Sequence, residues 1–310
     1  MKRQVKVSAP GKIILSGEHA VVYGYPAILA AIDRRLSIEV SKGKKSENLS
    51  LEGKKLLEFA LNEINKDLGK KRTTSYQIKI DSQIPIGCGM GSSAAFAVAL
   101  AAAVLCYYDE PWGLERINKI AYEIEKKQHG NPSGGDNTIS TYGGFLLYRK
   151  ETETFKVFSS LKTQVFPSLF LINSGKPIET TGEMVDKVKR FRLKFPNKVE
   201  KIFEEMEQVT RGFLRFLSKE ESNLGELIKT NEELLEALGV VSERTMNLIQ
   251  KIEKIGGSAK ISGAGGTKDN SGIIITYHPD QEKLFSFAKK ESLDIFRVKL
   301  GEKGVRIEKH

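Results

Sequence analysis

The chain has 310 residues, 40% of them hydrophobic and 28% charged, and a formal net charge of +10. That is a soluble globular balance, with room for one large domain or two ordinary ones. Its two cysteines, Cys88 and Cys106, exclude a disulfide framework and a cysteine-based metal cluster and suit a reducing compartment.

In chain order, the N-terminal MKRQVKVSAPGK is basic but leads into no apolar core of signal-peptide length. Val5, Val7 and Ala9 alternate with polar residues, a strand pattern expected to end at a Pro10–Gly11 turn. Leu36, Ile38 and Val40 alternate likewise, as do Tyr76, Ile78 and Ile80, with Leu57, Ala60, Leu61 and Ile64 at helical spacing between them. Residues 94–108 are rich in Ala, Leu and Val. They predict a buried helix that begins near Ser92 or Ser93 and is too short for the ~20 residues of a membrane span. Leu114, Ile117, Ala121 and Ile124 predict the next helix, after Pro111. GGFLLY (143–148) and SLFLIN (168–173) read as strands. Residues 180–255 are mostly helical, with one stripe formed by Ile202, Met206, Val209, Phe213 and Leu217. Strands follow near 258–261, 273–277 and 295–300. The pattern is α+β, with helices gathered in the second half. The composition shift at Phe166–Pro167 divides the chain into a first lobe, 1–166, and a second, 167–310.

Four stretches carry candidate chemistry. GCGMGSSA (87–94) puts flexible backbone directly before the predicted helix. A helix N-terminus offers unpaired N–H groups and a partial positive charge, and glycines let the backbone wrap an anion closely. No lysine follows Gly91, which excludes a P-loop. Asp109 and Glu110 stand at the distance of a dinucleotide-binding acid, but they read as a helix end. PGKIILSGEHAVVYGYPA (10–27) sets Lys12 just past the first strand and places Glu18 beside His19 at a turn. EKKQHGNPSGGDNTISTYGG (125–144) brackets a polar Gly/Asn/Pro loop with two carboxylates, Glu125 and Asp136, able to serve as metal ligand and base. KISGAGGTKDNSG (260–272) holds a further Gly-rich turn between strands.

Taken together, these stretches resemble the GHMP kinase family over nearly the whole chain. APGKIILSGEHAVVYG and HGNPSGGDNTISTYGG are most similar to its mevalonate kinase branch. The resemblance implies a two-lobed fold: a first lobe like ribosomal protein S5 domain 2, a ferredoxin-like second lobe, and the site between them. It implies ATP-dependent phosphorylation of mevalonate to phosphomevalonate, a step of isoprenoid biosynthesis. Asp136 is then the catalytic acidic residue and Lys12 its partner. Gly87, Gly89, Met90, Gly91, Ser92, Ser93 and Ala94 cradle the ATP phosphates. Ser93 and Glu125 hold Mg2+. Glu18, His19, Ser133, Tyr142 and Thr181 are candidates for the substrate, with Thr180 an equal match for the last. Three departures stand out: the insertion Thr267-Lys268-Asp269-Asn270-Ser271 in the last motif, Ser16 where an aromatic residue is common, and Cys88 in the phosphate loop. Set beside a helix N-terminus, Cys88 is expected to favour its thiolate and react under ATP protection, while Cys106 is expected to be inert.

Other readings are another GHMP small-molecule kinase, acting on phosphomevalonate or a sugar, and a non-catalytic ligand sensor on the same fold. Retention of Lys12, Glu125 and Asp136 together argues against the sensor, because binding alone does not need that set. An RNA-binding role is prompted by the S5-like lobe and the charge, but no basic-aromatic segment supports it. The expected protein is cytoplasmic and takes ATP and mevalonate, without nucleic-acid or membrane partners; a homodimer is admitted.

Overall fold

The computed structural model describes residues 4–43, 51–69, 76–129, 132–152, 156–161, 166–220 and 223–308. Strand β1 (Gln4–Ser16) pairs antiparallel with β2 (Ala27–Lys42) from end to end. The strand expected to stop at Pro10–Gly11 runs on. The register shifts between Pro10 and Lys12, so the dipeptide forms a bulge inside a strand rather than a turn. β2 is long enough to serve two more partners, β3 (Tyr76–Ser82) along its second half and β4 (Phe145–Lys150) along its first. β5 (Lys156–Leu161) extends the sheet past β4.

Helices α1 (Leu51–Asp67), α2 (Ser92–Tyr107), α3 (Leu114–His129) and α4 (Gly135–Tyr142) accompany this sheet. Every residue of α2 from 94 to 105 is buried, because it packs on β1 and β2 while touching α1, α3 and α4. A helix apolar all round belongs in such a position, and alanine gives it intrinsic helicity. The stretch around α4 reads as a loop in the sequence; it is a helix because Ile139 buries against Ile14, Leu29 and Tyr148.

The second half runs β6 (Leu169–Asn173), α5 (Thr181–Lys194), α6 (Pro196–Leu217), α7 (Leu224–Ala237), α8 (Glu243–Lys254), β7 (Ser258–Ser262), β8 (Ile273–Tyr277), α9 (Gln281–Lys290) and β9 (Ile295–Val298). Its antiparallel sheet has the order β7-β8-β6-β9. Counted within this half, that is second-third-first-fourth, the ferredoxin-like order, with α5 to α8 occupying the first crossover. The expected α+β architecture is therefore present. A single apolar cluster runs through both halves.

After β9 the chain returns to the first sheet. Leu300 bridges Ile32, Lys303 bridges Gly143, and β10 (Arg306–Ile307) pairs with the outer edge of β1. Arg35 fastens this return. Its guanidinium donates to the Lys303 carbonyl at 2.7 Å, to the Gly304 carbonyl at 2.8 Å and to Ser8 Oγ at 2.7 Å. No helix among the described residues is long and apolar enough to cross a membrane.

Candidate active site

The chain leaves β3 and reaches α2 through the glycine loop. Gly91 caps α2 at φ 73°, in the left-handed region, and no side chain caps the helix. A Cβ at Gly91 would stand 2.8 Å from Lys12 Cγ, and one at Gly89 only 2.6 Å from the Ser262 carbonyl oxygen. The missing side chains thus allow the turn and also let the β1 lysine and the third glycine loop close in. The start of α2 is left with a bare positive end and uncapped N–H groups. The Lys12 amide donates to the Met90 carbonyl at 2.9 Å, tying β1 to this loop.

Lys12 is 3% exposed, and its ammonium lies 3.1 Å from Asp136 Oδ2. Asp136 sits in the first turn of α4, behind the N-cap Gly134 at φ 87°, where the helix dipole favours an anion. Its side chain is 36% exposed, so the pair is one buried cation and one carboxylate open to the cavity. Ser93 Oγ donates to Glu125 Oε1. Burial pushes the Glu125 carboxyl up to about 7; the Ser93 hydrogen bond opposes the shift, and the Asp136 charge reinforces it. Such a carboxylate gains from a nearby cation. The donors are all oxygen and stand beside the uncapped start of α2, which suits a hard divalent ion such as Mg2+. Among the described residues no three His, Cys, Asp or Glu side chains cluster to hold a metal, so a divalent ion here would draw most of its shell from water or phosphate oxygens.

These groups line a cavity of about 380 Å³ together with His19, Ser133 and the first turns of α5. His19 adopts φ 61° and is 6% exposed. Its Nε2 lies 3.1 Å from the Ala264 carbonyl, an acceptor, so Nε2 carries the proton and Nδ1 is left as an acceptor. Burial lowers its pKa to about 4, and the ring is neutral at pH 7. Ser133 Oγ accepts from the Gly135 amide at 3.2 Å. Thr181 lines the cavity. Thr180 is instead the N-cap of α5, committed with Glu183 to a capping box, which separates two positions that are equal in the sequence.

A curated protein from Archaeoglobus fulgidus named mevalonate kinase is 38% identical over 264 residues, 84% of this chain and 88% of its own length. One from Pyrococcus abyssi of the same name is 32% identical over 99% of both. The chain belongs to the mevalonate kinase family. The family model for the N-terminal domain of GHMP kinases matches residues 54–144. Among solved structures, Methanococcus jannaschii mevalonate kinase superposes with a TM-score of 0.80 at 25% identity, covering 97% of this chain and 99% of its own. The L. major enzyme in complex with R-mevalonate gives 0.81 over 97% of each chain; at 24% identity that likeness is one of fold.

Within this family member, Lys12, Gly87, Gly89, Gly91, Ser92, Ser93, Ala94, Glu125, Ser133, Asp136, His19 and Thr181 all border one cavity. Three expectations need correction. Tyr142 lies at the far end of α4, about 9 Å along the axis from Asp136 at 1.5 Å per residue, and packs on Phe158 at 4.8 Å. Met90 is buried in the core and spends its carbonyl on Lys12, so it does not line the cavity. Glu18 lines the same cavity, with its carboxylate bonded to Lys260 and Asn231. Cys88 is 5% exposed and packs in the core, and burial raises its thiol pKa, although the Lys176 charge opposes this. Cys106 is the less buried of the two cysteines. Gly130 and Asn131 lie outside the described residues. The insertion 267–271 leaves the cavity wall to Gly263 and Ala264 and is tied down elsewhere, with Thr267 Oγ1 donating to Glu179 at 2.7 Å.

Sequence reasoning misses Asp186, Gly182 and Val185 of α5, which also line the cavity. It misses Lys260 too. Both this side chain and Glu18 are 0% exposed, and the lysine also donates to the Ile14 and Ile261 carbonyls at 3.1 and 2.8 Å. Lys260 opens the last Gly-rich motif, but nothing local in that motif points to a partner at Glu18.

Proposed function

We propose that the protein phosphorylates mevalonate with ATP. The observation that carries this reading is the Lys12–Asp136 pair at the cavity wall opposite the uncapped N-terminus of α2. Phosphoryl transfer asks for alignment and charge stabilisation more than for covalent chemistry. The triphosphate lies along the glycine loop, receiving N–H groups from Ser92, Ser93 and Ala94 and the field of α2. Asp136 accepts the proton of the substrate hydroxyl, and Lys12 holds Asp136 in place while stabilising charge on the attacking oxygen and the transferred group. Glu125 and Ser93 would hold Mg2+, which when bound would neutralise phosphate charge. His19, with Nδ1 free to accept, and the hydroxyls of Ser133 and Thr181 orient the substrate. With the lobes divided near Phe166–Pro167 and the return at 300–308 counted with the first, nucleotide groups fall on the first lobe and part of the substrate wall, Thr181 of α5, falls on the second.

The test is a screen of purified protein with Mg-ATP against mevalonate, phosphomevalonate, galactose and homoserine, with the product position read by NMR. Turnover confined to mevalonate is expected. Preference for any of the other three would overturn the assignment in favour of a different GHMP activity.

A further inference from the structure

The cavity is poor in positive charge for a site that receives a polyphosphate. Among the described lining residues Lys12 is the one lysine or arginine, against Glu18, Glu125, Asp136 and Asp186. Lys12 is committed to Asp136, and Lys260 beneath the wall to Glu18. Two more lysines approach the 132–134 loop, but Lys150 Nζ donates to the Pro132 carbonyl and Lys156 lies over the Tyr122 ring. The glycine loop brings no lysine of its own, unlike a P-loop.

Lys176 is placed differently. It belongs to the loop between β6 and α5, in the second half of the chain, yet its stem lies against Gly87 of the glycine loop. A Cβ at Gly87 would stand 2.9, 3.1 and 3.3 Å from its Cε, Cδ and Cγ. Gly87 itself lines the cavity, and its φ is 76°. The glycine is therefore a seat for the lysine as well as a turn. Lys176 is exposed, and its charge is felt at the neighbouring Cys88. The geometry points to Lys176 as the phosphate-binding cation of this site, supplied across the lobes and laid over Gly87 to reach the nucleotide polyphosphate. This inference rests on the reading that ATP occupies the start of α2.

The test compares wild type with Lys176→Met, which keeps the aliphatic stem on Gly87, and Lys176→Arg, which keeps the charge. ATP, ADP and adenosine are titrated by calorimetry, and KM is measured separately for ATP and mevalonate. Loss of a charge-assisted phosphate contact is expected to weaken ATP and ADP about tenfold in Lys176→Met. Adenosine affinity and the mevalonate KM should stay as in wild type, and Lys176→Arg should recover most of the loss. Unchanged ATP and ADP binding in Lys176→Met overturns the inference. So does an equal loss for adenosine, which would make packing on Gly87 the whole role. A wild type that binds ADP in a Lys176-dependent way but does not phosphorylate mevalonate would refute the functional reading and leave this one standing.

Discussion

Replacing Lys260 with Met should cost more stability than any change at the cavity surface. The lysine and Glu18 are both 0% exposed, and each has one further set of buried partners: two main-chain carbonyls for the ammonium and the Asn231 amide, at 3.2 Å, for the carboxylate. Methionine fills similar volume but strands the carboxylate with Asn231 alone. Breaking a buried pair from one side costs about 3–5 kcal/mol, a large share of the ~5–15 kcal/mol that holds a typical domain folded. Removing both charges, as Glu18→Gln with Lys260→Met, should restore at least half of that loss, because no uncompensated ion remains. Urea unfolding followed by far-UV circular dichroism gives both numbers from midpoint shifts at a common slope. The mevalonate KM of folded Glu18→Gln should stay within about threefold of wild type, since its carboxylate is taken up by Lys260 and Asn231. A Lys260→Met protein within about 1 kcal/mol of wild type would refute the reasoning, given the cost expected of a broken buried pair. A Glu18→Gln protein of normal stability with a much raised mevalonate KM would return Glu18 to the substrate.

Asp136→Asn should bind ATP and fold normally while kcat falls by roughly 10²–10⁴-fold, the usual worth of a general base; near-normal turnover would remove it from the chemistry. Glu232 is 2% exposed, and its Oε1 has no hydrogen-bond partner, so burial raises its pKa to about 8 against the 4.5 of an ordinary glutamate. A raised carboxyl pKa contributes stability that is complete below about pH 4.5 and is lost progressively as pH rises from there to about 8, so Glu232→Gln should flatten the fall in Tm between about pH 4.5 and 8; parallel profiles for the two proteins would count against this. Cys88, buried with its thiol pKa raised, should alkylate more slowly than Cys106 and without ATP protection, as mapped by peptide mass spectrometry. Rapid, ATP-blocked labelling of Cys88 would mean that the glycine loop opens in solution.

The parts of the site that can be read from the sequence are those whose chemistry lies in contiguous residues. Gly91-Ser92-Ser93 before an alanine-rich run predicts an anion-binding helix start by local rules alone, and the helix forms there. Lys12, Glu125 and Asp136 are visible through their motifs, although nothing local says that β1 and α4 bring the first and last to 3.1 Å. What stays hidden depends on long-range packing. Glu18 looks like a ligand until Lys260, 242 residues away, is seen to consume it. Tyr142 looks like a loop residue until Ile139 buries and winds the stretch into a helix that carries the ring away. The dipole beside Cys88 suggests a reactive thiolate, but the side chain turns into the core, where desolvation dominates. β5 escapes notice because its residues are mostly exposed and lack apolar alternation, so only pairing with β4 defines it.

The return of the chain to its first sheet has a consequence for biosynthesis. Ser8 pairs with Arg306, so this edge of β1 stays open until the chain has been made as far as residues 306–307. At about 5–20 residues per second, the interval between β2 and β10 is roughly 13–50 seconds of translation. Throughout that time Val5, Val7 and Ala9 belong to a strand with one unpaired side, a template for a wrong partner. Arg35 waits without its tail carbonyls for as long. A nascent chain of this design therefore benefits from whatever shields that edge on the ribosome, until the pairing of two residues about 300 positions later completes what the first strand began.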